Sequence, residues 1–167
     1  TKDMVLLPGG EDEEHDHDHA GEGHSHEYDP HVWLSPERAI QMVQNITKQL
    51  AEAFPDRKET FEKNAKAYIE KLTALHKDYT NAFKDAKQKN FVTQHTAFHY
   101  LALDYGLNQV GITGISPEAE PSAARLAELT KYVKENDIKI IYFEENASEK
   151  IAKTLAEEAG VELAVLN

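Results

Sequence analysis

Histidine and carboxylate side chains, the donors that borderline transition metals accept, are concentrated at a few places in this chain. The densest is His15-Asp16-His17-Asp18-His19, followed by His24-Ser25-His26. These five imidazoles lie among many carboxylates in one short stretch. Imidazole suits zinc, copper and nickel, and a tract of this composition reads as metal-collecting or, more blandly, as a soluble linker or cloning remnant. A site without fixed geometry selects poorly among ions.

Single residues come next. His31 stands in Asp29-Pro30-His31-Val32-Trp33, where proline restricts the neighbouring backbone and Trp33 adds apolar mass. It reads as a rigid metal ligand or as a surface or capping residue beside a helix start. His95 follows the strand-like Phe91-Val92-Thr93-Gln94. Ligands gather at the carboxyl ends of strands in open α/β sheets, so His95 reads as a ligand, against the alternative of a polar helix cap. His99, four residues on, would share a helical face with His95; amid Phe98, Tyr100 and Leu101 it reads more as a packing residue or a support than as a ligand. Glu144 and Glu145 follow Ile138 to Phe143, again at a strand's carboxyl end. Glu144 is a candidate zinc ligand, although acids are also favoured where a helix begins. His76 has no evident partner.

Several chemistries are excluded. Cysteine is absent, so any metal site must use nitrogen and oxygen donors, and there is no thiol nucleophile. No Gly-rich phosphate loop, G-x-S-x-G elbow or H-E-x-x-H helix occurs. The net charge is −12, but nine acidic residues fall between Glu11 and Asp29, leaving −3 for the remainder. That local acidity opposes nucleic acid and anionic lipid as partners of that segment and favours cations. No apolar run reaches membrane-spanning length, and Thr1-Lys2-Asp3 does not open a signal peptide. The ends are abrupt, as in an excised piece.

These residues need elements to position them. Met4 to Leu7, closed by Pro8-Gly9-Gly10, reads as a strand or loop end. Glu11 to Tyr28 has almost nothing apolar and is expected to be mobile without a ligand. Ser35 as N-cap and Pro36 at the first helical position predict a helix, with Ile40, Val43, Ile46 and Leu50 as its buried stripe. A second, long helix opens at Pro55 and carries the seam Phe61, Ala65, Tyr68, Leu72, Leu75, Tyr79 and Phe83. Short units then alternate: strand 91–94, helix 96–105 stopped by Gly106, strand 109–113, helix 121–134, strand 138–143, helix 148–159 ended by Gly160, and strand 161–166. Strand and helix in turn imply an α/β fold with a parallel sheet flanked by helices. We divide the chain into residues 1–29 (strand end and acidic His-rich loop), 30–87 (helical linker with the long helix) and 88–167 (a truncated α/β carboxyl-terminal lobe).

An acidic His-rich loop leading into Asp29-Pro30-His31-Val32-Trp33-Leu34-Ser35-Pro36, followed by Phe91 to Phe98, Ile112-Thr113-Gly114-Ile115-Ser116-Pro117, Glu120-Pro121-Ser122 and Tyr142 to Ala147, closely resembles the zinc-binding lipoproteins of metal ABC transporters. The streptococcal adhesin-like group is the nearest in pattern. The resemblance implies two α/β lobes joined by one long helix, here Pro55 to Ala86, with the ion held between them. It matches His31 to the family's second histidine ligand and His95 to its third. The lobe carrying the first histidine is missing, and the family's acidic ligand would fall after Asn167, so half of a site is expected, with weaker and less selective binding unless Glu144, His99, water or a loop imidazole completes the shell.

The resemblance thus implies extracytoplasmic zinc capture by a monomeric, membrane-anchored lipoprotein that delivers to the permease of an ABC importer, with no enzymatic step and no nucleic acid. A zinc-dependent hydrolase or lyase using Glu144 as general base, and a surface adhesion module with an incidental His tract, are the alternatives.

Overall fold

The computed structural model describes residues 4–9, 28–115, 120–145 and 149–166. His15, His17, His19, His24 and His26 lie outside the described residues, as do Ser116, Pro117, Asn146 and Ala147 of the resemblance motifs.

Among the described residues, helices α1 (Pro36–Ala53) and α2 (Lys58–Lys84) come first. Then follow β1 (Asn90–Thr93), α3 (His99–Tyr105), β2 (Asn108–Gly111), α4 (Ala123–Glu135), β3 (Ile140–Phe143), α5 (Lys150–Ala159) and β4 (Glu162–Val165). The four strands form one parallel sheet in the order β2-β1-β3-β4. This is the α/β arrangement expected from the alternation of strands and helices. Each connection crosses over through a helix, as parallel pairing requires, and β1 and β3 lie side by side at the centre of the sheet.

The sheet's core is closed by α4 and α5. Val92 and Ile141 from the two central strands meet Leu129 and Val133 of α4 and Ala152, Leu155 and Ala156 of α5, all buried. Full burial of one such aliphatic side chain contributes about 2 to 3 kcal/mol, so this cluster is the anchor that fixes strand ends in space. Ser122 caps α4 through its side chain, accepting from Arg125 N–H at 3.1 Å. Gly106 and Gly160 end α3 and α5 with left-handed backbone, φ 65° and 73°, which a side-chain-bearing residue adopts at a cost.

The two long helices pack side by side through the Pro55–Arg57 3-10 turn. At 27 residues α2 is about 40 Å long. Its far end joins α3 through an aromatic cluster in which Tyr79 and Phe83 meet Tyr105 at 5.6 and 5.9 Å between ring centroids.

Several sequence expectations are corrected. Of the two readings of Met4 to Leu7, strand or loop end, the second holds: the segment carries no strand, and the Pro8 that closes it makes an isolated antiparallel bridge to Tyr28. The seam of α2 is covered only in part: Leu72 is buried, whereas Tyr68 and Leu75 stay exposed, as do Ile46 and Leu50 on α1. Ser35 stands at the N-cap of α1 but sends its hydroxyl to Asp104 Oδ2 at 2.6 Å, not to the helix. Helix α3 starts at His99 and not at Thr96, because the His95 carbonyl, which would accept the first bond of a helix opening at Thr96, is taken by Thr93 Oγ1 and Gln109 Nε2. Thr96 N–H goes to Gly114 O, Ala97 N–H to His95 O, and Phe98 N–H to the Gln109 side chain. His76 has a partner after all, its Nδ1 lying 3.0 Å from the Tyr105 hydroxyl.

Candidate metal centre

His31 precedes a 3-10 turn, Val32–Leu34, and its orientation is set by Asp29. That carboxylate is buried, and its Oδ1 accepts from His31 N–H at 2.9 Å and lies 2.8 Å from His31 Nδ1. An ionised carboxylate only accepts, so Nδ1 carries the proton and the lone pair sits on Nε2. Asp29 is itself fixed by its main chain. Its N–H donates to Leu7 O at 3.0 Å, and its carbonyl accepts from Tyr100 Oη at 2.8 Å.

His95 stands two residues past the end of β1, in a turn tied down by buried polar side chains. Its carbonyl accepts from Thr93 Oγ1 at 2.7 Å and from Gln109 Nε2 at 3.0 Å, and Gln109 Oε1 accepts from Phe98 N–H at 2.9 Å. Its ring is oriented from the neighbouring strand. Thr93 is in register with Tyr142, so moving two residues along each parallel strand brings His95 opposite Glu144. The contact is made, with His95 Nδ1 2.9 Å from Glu144 Oε1. Nδ1 is again the protonated nitrogen, and Nε2 again holds the lone pair.

The two imidazoles meet. Their ring centroids are 5.4 Å apart at an interplanar angle of 65°, and Trp33 packs on His31 at 5.6 Å. Both imidazoles are largely buried, with side-chain exposures of 12% and 13%. Each thus pairs an acceptor nitrogen with a carboxylate on the opposite ring atom, the arrangement that fixes ring orientation and raises basicity in histidine metal sites. Asp29 Oδ2 and Glu144 Oε2 are both buried without a hydrogen-bond partner.

The remaining candidates border the two imidazoles. His99 does not share a helical face with His95, because His95 is in the turn before α3. It is the more exposed of the two, and its Nδ1 is 3.7 Å from Asp29 Oδ2, beyond hydrogen-bond range. Glu144 is engaged with His95. Among the described residues, no set of three or more His, Asp or Glu side chains converges as a metal cage.

Residues that the sequence reading passed over complete the site's frame. Asp29 was visible as the acid of an Asp-Pro-His run, and Gln109 only as a polar residue inside a strand. Arg38 donates to both Asp104 oxygens, at 2.7 and 2.8 Å, and lies 4.7 Å above the Tyr100 ring. The hydrogen bond to Asp104 pushes the Arg38 pKa up from its ordinary value, and burial raises that of the Tyr100 phenol.

The sequence matches the protein family described as zinc-uptake complex component A, periplasmic (ZnuA), across residues 1–167. It is 68% identical over its whole length to the zinc-binding lipoprotein AdcA of Streptococcus pneumoniae serotype 4, and 56% identical to the high-affinity zinc uptake system protein ZnuA of Bacillus subtilis. The chain spans 33% of the length of the first relative and 52% of the second. The crystal structure of the Zn(II)-bound ZnuA-like domain of Streptococcus pneumoniae AdcA superposes with a TM-score of 0.76 at 61% identity, covering 99% of this chain and 56% of that one. With a family match that runs from the first residue to the last, and an α/β fold like that of the superposed domain, the chain belongs to the ZnuA family of zinc-uptake components.

Proposed function

We propose that this chain captures zinc outside the cytoplasm and passes it to the membrane permease of an ABC importer, working as a monomeric, membrane-anchored lipoprotein. The observation that carries the reading is the His31–His95 pair, two imidazoles 5.4 Å apart with both Nδ1 atoms tied to carboxylates and both Nε2 atoms left to an ion. Zinc is the cargo that the names of the relatives specify. His31 and His95 are its ligands through Nε2, supplying two of the roughly four donors a closed zinc shell takes. Asp29 and Glu144 act as the carboxylates behind the two rings, and His99 stands outside the ligand set. The imidazoles of residues 15–26 form an auxiliary collecting arm of low affinity. Residues 30–87 are the helical linker that brings in His31, and residues 88–167 belong to the lobe that brings in His95.

A hydrolytic site needs a free general base beside a metal-bound water. Glu144, the residue the sequence offered for that role, is already occupied by His95, which favours carriage over catalysis. Among the described residues, no helix is long and apolar enough to cross a membrane.

Calorimetric zinc titration of the parent, of His31→Ala and His95→Ala, and of a chain lacking residues 11–27 tests the reading. Each alanine variant is expected to lose the tightest binding phase by more than the roughly 10- to 100-fold that removing a ligand's hydrogen-bond partner costs. The deletion should remove only weak binding. A His95→Ala variant that keeps the parent's tight phase would overturn the ligand assignment.

A further inference from the structure

The two chain segments that flank the acidic His-rich tract meet on one side chain. Tyr100, fully buried on α3, accepts with its hydroxyl from Leu7 N–H at 2.9 Å and donates to the Asp29 carbonyl at 2.8 Å. Leu7 and Asp29 are also joined directly through Asp29 N–H and Leu7 O, and the bridge between Pro8 and Tyr28 lies beside them. The ring that carries the hydroxyl is held in turn. Arg38 lies over it while donating to Asp104 and to Val5 O.

Asp29 needs such anchoring. Its Oδ2 is buried without a hydrogen bond, with His99 Nδ1 3.7 Å away, and a buried carboxylate oxygen without a hydrogen bond favours any rotation that finds one. What opposes that rotation is the bond from Oδ1 to His31 and the fixed position of the Asp29 main chain. Only Pro30 separates Asp29 from His31, so a shift of the Asp29 main chain is carried into the imidazole.

We propose that Tyr100 is a positioning residue for His31, acting through Asp29: its hydroxyl locks the Asp29 main chain so that the carboxylate keeps His31 Nδ1 protonated and Nε2 turned to the metal. The proposal rests on the reading of His31 as a zinc ligand. Tyr100→Phe keeps the buried ring and the Arg38 contact while removing both hydrogen bonds. Tyr105→Phe, on the same helix, also removes a phenolic hydroxyl, but one bonded to His76 with no route to Asp29, and so controls for a general loss of stability.

Zinc titrations of the full chain followed by emission from Trp33, the sole tryptophan, report locally on His31. They are run at a temperature where circular dichroism shows every variant folded. Tyr100→Phe is expected to weaken the Trp33-reported phase by about tenfold, the lower end of the effect of losing a ligand's support. Nitrogen-15 NMR of the zinc-free variant should show His31 sampling both tautomers, whereas Tyr105→Phe leaves affinity and tautomer as in the parent. Parent-like affinity and a single His31 tautomer in Tyr100→Phe, with the phase abolished in His31→Ala, would overturn the positioning role alone. A phase that survives His31→Ala would overturn the ligand reading and this inference with it.

Discussion

Gly111 ends β2 pressed against the turn that carries His95, and replacing it with alanine tests how firmly that turn is packed. A Cβ at this position would lie 2.1 Å from Thr96 Oγ1, 2.5 Å from Thr113 O and 2.9 Å from Thr96 N. The demand is for space, since the residue does not adopt left-handed backbone. Thr96 Oγ1 can rotate away, but only by giving up its 3.1 Å bond to Thr113 O. The other two atoms are main chain, so relief requires moving the 95–96 turn or the 113–114 segment, which are held together by Thr96 N–H to Gly114 O at 2.9 Å. Overpacking of this kind costs about 1 to 3 kcal/mol, and one lost hydrogen bond adds about 1 kcal/mol, giving roughly 2 to 4 kcal/mol in all. For a chain of this size each kcal/mol moves the melting temperature by about 2 to 4 °C, so Gly111→Ala should melt roughly 5 to 15 °C below the parent. Because the displaced residue is next to His95, zinc affinity should fall as well. Thermal melts by circular dichroism and a zinc competition assay measure both. A melting temperature within about 2 °C of the parent's would show that the contact is soft and refute the reasoning.

Glu144→Gln keeps an acceptor for His95 Nδ1 but removes its charge; zinc binding, measured against a chromophoric chelator, should weaken by about tenfold, and parent-like affinity would remove Glu144 from the site's design. Arg38 and Asp104 are both nearly buried, so Asp104→Ala leaves an unpaired guanidinium and should cost about 3 to 5 kcal/mol in urea unfolding, whereas the double variant Arg38→Met with Asp104→Leu should lie much nearer the parent; equal losses in the two variants would contradict this. Burial lifts the Tyr105 phenol from 10.0 to about 12. The unfolded chain therefore releases this proton first as pH rises, and stability conferred below pH 10 is lost between about 10 and about 12, by something on the order of 2 kcal/mol. Alkaline melts of Tyr105→Phe should lack that part of the decline, and identical pH profiles for variant and parent would count against it.

How much was legible beforehand depended on where a residue's partners lie in sequence. Helices α1 and α2 followed from apolar spacing and from Pro36 and Pro55, which are local signals. The start of α3 was not, because the His95 carbonyl is taken by Thr93 Oγ1 and by Gln109 Nε2 from the neighbouring strand, and no propensity encodes that competition. His95 and Glu144 were recognisable as residues at the carboxyl ends of strands. That they face each other depends on β1 and β3 being neighbours in the order β2-β1-β3-β4, and the sequential alternation of strands and helices does not specify that order. Asp29 was in plain view beside His31, yet its anchoring by Tyr100, 71 residues away, was not.

This difference in origin separates the two imidazoles physically. His31 is oriented by a carboxylate two residues away, whose main chain is pinned by Leu7 and Tyr100. His95 is oriented by one 49 residues away, delivered by strand register. Among the described residues, no hydrogen bond joins the two supports directly: Gln109 and Thr93 hold the His95 turn and Gly111 packs against it, while Tyr100 and Leu7 hold Asp29 and Arg38 lies over the Tyr100 ring. Perturbations of independent supports add in free energy, whereas groups in one network do not. Combining Gly111→Ala with Tyr100→Phe should therefore multiply their separate losses of zinc affinity. A double variant no worse than the weaker single variant would mean that the two rings move as one unit, held through their own 5.4 Å contact and not through the separate frames behind them.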